Sequence, residues 1–117
     1  MKKLFLFTAL SLLSYANSDM EALYLKNACN SCHGMYGEGM GGSPRLQGVR
    51  EHILLRRLKD LQQGKTRSSF GTVMISFAKS LDENQTKEMA KYLSNLVTKV
   101  DDGRYDIEYE PAGDGGS

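Results

Sequence analysis

Cys29-Asn30-Ser31-Cys32-His33 is the stretch that most limits what this chain can fold into. Two thiols separated by two residues and followed at once by an imidazole read as an attachment site for a c-type haem. Each thiol adds to one porphyrin vinyl and leaves a thioether, and the two-residue spacer lets one turn of chain reach both vinyls. The next residue then lies under the ring, where an imidazole nitrogen reaches the iron. A bare C-x-x-C has two other readings, a redox disulfide and half of a zinc site. The histidine and the rest of the chain decide among the three.

The chain of 117 residues has the length of one domain, and past its N-terminus it has no long apolar run. Its first stretch stands apart. Met1-Lys2-Lys3 is basic, Leu4 to Leu13 is apolar, and Ala16-Asn17-Ser18 places small residues at the cleavage-determining positions. This pattern predicts a secretory signal peptide over 1–18, cut after Ser18. The apolar run is far short of the roughly 20 residues that span a bilayer, which argues against a retained anchor. No cysteine lies near the cut, so a lipid anchor is not expected. Export predicts a periplasmic protein, and outside the cytoplasm close cysteines are usually oxidised. Both cysteines lie in the one motif, so no other disulfide framework exists. A covalently held haem would supply the apolar body that so small a chain needs.

Charge excludes one class of partner. The body over 19–100 carries twelve basic and eight acidic residues, and the segment over 101–117 carries six acids and one arginine. A net charge of +4 on the body is too small to argue for nucleic acid, and it implies at most modest steering towards a protein partner. The segment after Val100, rich in acids and with Gly103, Gly113, Gly115 and Gly116, reads as a disordered acidic tail.

Between these ends the periodicities predict helices and loops only. Asp19 to Asn30 reads as a helix that delivers the first cysteine, with Ser18 or Asp19 as its cap and Ala22, Leu25 and Ala28 on its apolar face beside Leu23. His33 to Gly48 holds six glycines and reads as a loop. Within it Pro44, Leu46 and Gly48 form a spaced set along the histidine. A ligating imidazole usually donates its second N–H to a carbonyl, and the Pro44 carbonyl is the expected acceptor, with Leu46 lining the haem pocket.

Glu51 to Gln63 reads as a helix with Ile53, Leu54, Leu55, Leu58 and Leu61 on its apolar face and Gly64 as its stop. Arg50, Arg56, Arg57, Lys59, Lys65 and Arg67 form a basic cluster, read as a solvated face rather than a docking patch. His52 reads as a surface residue. Lys65 to Thr72 is a polar loop, followed by the apolar patch Val73 to Ala78 with Met74 inside it. Asp82 to Val100 reads as the last helix, with an Asp82–Gln85 capping box and an apolar stripe of Met89, Tyr92 or Leu93, Leu96 and Val100. It is expected to cross the first helix and close the core.

A histidine-bound haem iron needs a sixth ligand or an open site. Of six methionines, Met1 goes with the signal and Met20 precedes the motif on its helix. Met35 and Met40 sit too close after His33 to cross to the other face, and Met89 lies among packing residues. Met74, placed in a loop between helices where the chain can return over the distal face, is the expected ligand.

As a set, these motifs resemble the class I cytochromes c, small single-haem bacterial carriers. The likeness covers about 24–98. It rests on Cys29-Asn30-Ser31-Cys32-His33-Gly34, Ser43-Pro44-Arg45-Leu46-Gln47-Gly48 and the stretch from Leu54 to Lys65. Met74 to Glu83 and Ala90-Lys91-Tyr92-Leu93 complete it. It implies an all-α fold of three to four short helices around one covalent haem c. Cys29 and Cys32 then carry the thioethers, and His33 and Met74 are the axial ligands. Tyr92 is the aromatic that packs the last helix on the first. Where the family often has a small residue, eight positions before the first cysteine, this chain has Glu21, with Ala22 beside it.

The function so implied is a monomeric, exported one-electron carrier of a respiratory chain, not an enzyme. Its expected partners are a membrane quinol-oxidising complex as donor and a terminal oxidase or cytochrome c peroxidase as acceptor. Three rivals stay open: a dedicated haem subunit of a periplasmic enzyme, a haem-based gas sensor, and a thiol–disulfide oxidoreductase.

Overall fold

A computed structural model of the chain describes residues 17–99. The expected signal peptide, apart from Asn17 and Ser18, and the whole acidic tail with Val100 lie outside them. Among the described residues there is no strand, and one isolated bridge joins Met40 and Ser43. The fold is all-α, as expected.

Helix α1 covers 17–26 of the described residues. Ser18 and Asp19 are already helical, so neither caps its start. Nor does the helix run unbroken to Asn30. It ends in a Schellman motif: Cys29 N–H donates to the Tyr24 carbonyl at 3.1 Å and Ala28 N–H to the Leu25 carbonyl at 3.0 Å. Ala28 sits at φ +57°, the left-handed position that glycine usually fills. After this corner the one-turn helix α2 spans Asn30–His33. The buried face is also not the expected one. Tyr24 is buried, Met20 and Leu23 pack beside it, and Ala22, Leu25 and Ala28 are exposed.

Helix α3 spans Glu51–Gln62 and stops at Gln63 and Gly64 (φ +77°), as expected. Leu54 is its buried residue. The stretch expected as a loop and a patch is helical instead. A 3-10 turn, Ser69–Gly71, leads into helix α4, Thr72–Lys79. Thr, Val and Ile lower the helix propensity of this stretch, and packing against α3 overrides it. Met74 therefore stands on a helix, in its first turn.

Helix α5 spans Glu83–Ser94 and opens with the expected capping box between Asp82 and Gln85. It ends six residues before Val100. The Asn95 amide side chain takes the Lys91 carbonyl at 2.9 Å, and the chain leaves the helix there. The segment that follows folds back on the glycine-rich loop: Gln47 Nε2 donates to Thr98 Oγ1 at 2.8 Å and Tyr36 Oη to the Lys99 carbonyl at 3.2 Å.

The core forms where α1, α3 and α5 meet, from Tyr24, Leu54, Met89, Ala90, Tyr92 and Leu93. The rings of Tyr24 and Tyr92 lie 6.4 Å apart and inclined at 57°. That pair makes the crossing between the first and last helices, a favourable tilted aromatic geometry. It falls three residues after Glu21.

Candidate haem-binding site

His33 ends α2 and is only 3% exposed. Its Nδ1 lies 2.8 Å from the Pro44 carbonyl. A carbonyl only accepts, so Nδ1 carries a proton, and in the neutral imidazole the lone pair is on Nε2. Among the described residues Nε2 has no hydrogen-bond partner. The backbone around the imidazole is equally held. The His33 carbonyl accepts from Gly39 N–H at 2.8 Å, and the Gly34 carbonyl accepts from the Tyr24 hydroxyl at 2.7 Å. The Gly37 carbonyl accepts from both Leu46 and Gln47 N–H, at 2.7 and 2.8 Å, which draws the far arm of the loop towards the histidine. Gly39 permits this approach: a Cβ there would stand 2.8 Å from the Arg45 nitrogen.

The two thiols are free and differ in setting. Cys29 is half-buried against the core and Cys32 is exposed. Burial pushes the Cys29 thiol above its ordinary value; a backbone hydrogen bond lowers it by less, and the neighbouring Cys32 adds a small upward push. Their α-helical spacing on one turn, with His33 next in line, suits two thioethers and an axial imidazole on one porphyrin.

Apolar residues left uncovered by the fold match the same group. Phe70, Val73 and Phe77 are 78%, 63% and 41% exposed. They recur at helical spacing along the 3-10 turn and α4, with Met74 half-buried beside them. Asn27, at the end of α1, and Ser76, Phe77 and Ser80, on and just after α4, line one cavity of about 300 Å³, so α4 lies next to the corner that precedes Cys29. A thiol pair, a histidine with a free ring nitrogen and a helix with an exposed apolar stripe and a methionine fit a haem. Among the described residues, no group of three or more His, Cys, Asp or Glu side chains is arranged to hold a bare metal ion.

The remaining expected residues divide. Leu46 is half-buried against the core cluster. Pro44 is exposed as a ring, with its carbonyl engaged. His52 is exposed on the first turn of α3. In the basic cluster Arg50, Arg56, Lys59, Lys65 and Arg67 are exposed, whereas Arg57 is half-buried with an unpartnered, buried Nε.

Four residues of the site escape the motif reading. Tyr24 and Tyr36 are each 1% exposed, and Gln47 and Gln62 carry polar bridges. Tyr24 follows Met20 by four and Gln62 follows Leu58 by four, so helical spacing carried a signal for both. Tyr36 and Gln47 lie in the loop, where no periodicity marks a buried position.

The sequence profile of the family described as Cytochrome c matches residues 19–97. The chain is similar to Cytochrome c-552 of Acidithiobacillus ferridurans, with 38% identity over 69 residues. That stretch is 59% of this chain and 29% of the relative, so the chain spans less than a third of the relative's length. No solved structure matches the chain.

Proposed function

The chain belongs to the cytochrome c family, and from that premise we propose that it is an exported one-electron carrier of a respiratory chain with a single haem c. Cys29 and Cys32 would hold the group by thioethers, and His33 Nε2 and the Met74 sulfur would ligate its iron. When bound, haem supplies a one-electron ferric–ferrous couple, which histidine–methionine ligation raises in potential and closes to exogenous ligands.

The chain's own residues prepare that site. The Pro44 carbonyl holds the Nδ1 proton, so the imidazole is fixed in one tautomer with Nε2 as the donor atom. Tyr24 and Gly39 fix the backbone at the Gly34 and His33 carbonyls. Phe70, Val73 and Phe77 offer an uncovered apolar stripe that would pack on the group and keep water from it. The exposed Cys32 marks the edge at which a partner approaches. Family likeness supports a quinol-oxidising complex as electron donor and a terminal oxidase or cytochrome c peroxidase as acceptor. Among the described residues no helix is long and apolar enough to cross a membrane.

The observation that carries this reading is the His33–Pro44 pair. A surface histidine needs no such buried, oriented hydrogen bond, and a thiol–disulfide site has no use for it. Co-expression with a c-type maturation system followed by a heated denaturing gel stained for haem, then a potentiometric titration, tests it. Haem that stays with the polypeptide and a one-electron Nernst slope are expected. Haem lost on heating, or a reduced protein that takes up carbon monoxide readily, contradicts it.

A further inference from the structure

Helix α4 is shallowly seated. Of its eight residues only Ala78 is buried. Met74 precedes Ala78 by one turn and shares its face, so any shift of α4 at Ala78 is passed to Met74. Gln62, the last residue of α3, holds that seat. Its Nε2 lies 2.9 Å from the Ala78 carbonyl, 2.8 Å from Thr86 Oγ1 and 3.4 Å from the Leu81 carbonyl.

The orientation of this amide is dictated by its partners. Two of the three are carbonyls, which accept only, so the nitrogen and not the oxygen faces them. Thr86 is 1% exposed and passes its own proton to the Asp82 carbonyl at 2.7 Å, leaving Oγ1 to accept from Gln62. One side chain thus joins the end of α3, the end of α4 and the first turn of α5. Among the described residues, every hydrogen bond between α4 and these two helices is made by Gln62. The Ala78 carbonyl belongs to the last turn of α4 and also accepts from Leu81 N–H, at 3.2 Å, just past the helix.

We infer that Gln62 is a positioning residue for the distal ligand: through the Ala78 carbonyl it fixes α4 and keeps the Met74 sulfur on the iron. This rests on Met74 being that ligand. Gln62→Leu removes the donors and keeps most of the volume. Gln62→Glu keeps the shape and sets carboxylate oxygens against the Ala78 and Leu81 carbonyls. Thr86→Val cuts the link to α5 alone and leaves that to α4.

The measurement is a titration of each ferric holoprotein with imidazole, followed by the weak far-red band that methionine sulfur gives ferric haem. The imidazole concentration that removes half the band falls roughly fivefold in Gln62→Leu, the equilibrium shift that one net hydrogen bond carries. It falls further in Gln62→Glu, and in Thr86→Val it stays at the wild-type value. Midpoints unchanged in both Gln62 variants, or shifted equally by Thr86→Val, overturn the inference. A band missing from the wild-type protein, or surviving Met74→Ala, instead refutes the ligand assignment, and the inference falls with it.

Discussion

The imidazole of His33 and the carbonyl of Pro44, eleven residues apart in the chain, are joined at 2.8 Å. Everything between them serves that distance. The loop turns at glycines of positive φ and closes by bonds from Gly39 to His33 and from Leu46 and Gln47 to Gly37.

Gly39 is the position where this loop tolerates least. It sits at φ +86°, and an added Cβ would meet the Arg45 nitrogen at 2.8 Å and the Ser43 carbonyl at 3.0 Å. Both are backbone atoms next to Pro44, so relief moves the carbonyl that orients His33. Gly39→Ala is expected to cost about 2–3 kcal/mol, a left-handed penalty plus a clash. Gly41 has φ +55° and open space around it, so Gly41→Ala carries the conformational term alone, about 1 kcal/mol. Urea unfolding of the two variants side by side checks the difference, with equal m-values as the sign that only stability changed.

Ala28 makes the opposite case. It occupies the left-handed residue of the corner between α1 and α2, and its exposed methyl contributes no buried contact. Ala28→Gly removes about 1–2 kcal/mol of strain and returns part of it as unfolded-chain entropy. A net gain of about 0.5–1 kcal/mol follows, read as a higher urea midpoint. A loss of stability would show that the corner is not built as described.

Tyr92 links stability to alkaline pH. Burial holds its phenol above the ordinary value of 10.0. Below that value folded and unfolded chains both keep the proton, and the residue adds no pH dependence. Above it the unfolded chain ionises first, so stability falls as pH rises from about 10 through the folded value. Tyr92→Phe keeps the ring against Tyr24 and removes this component. Its stability curve above pH 10 is expected to be flatter than wild type; superimposable curves contradict the assignment.

How far the sequence revealed all this varies with the kind of signal. The haem motif, the α3 span and the capping box of α5 depend on local residue patterns, and each stands where the pattern put it. The corner at Ala28 was hidden because an alanine occupies a glycine position, and nothing local announces that. Helix α4 was hidden because its β-branched residues read as a patch; its seat on α3 and the bridge from Gln62 are long-range. Met74 reads from the sequence as a loop residue and stands on a helix, so the geometry that suggests it as a ligand is not the one found. The turn-back of Thr98 and Lys99 over the loop involves partners about fifty and sixty residues away, beyond any periodicity.

The central claim is that His33 and Met74 hold one haem between them. The far-red absorption band of the ferric protein, compared between wild type and Met74→Ala, tests it most directly. The band is expected in the wild-type spectrum and lost in the variant, with the haem still covalently attached. A band that persists in Met74→Ala, or that the wild-type protein lacks, contradicts it.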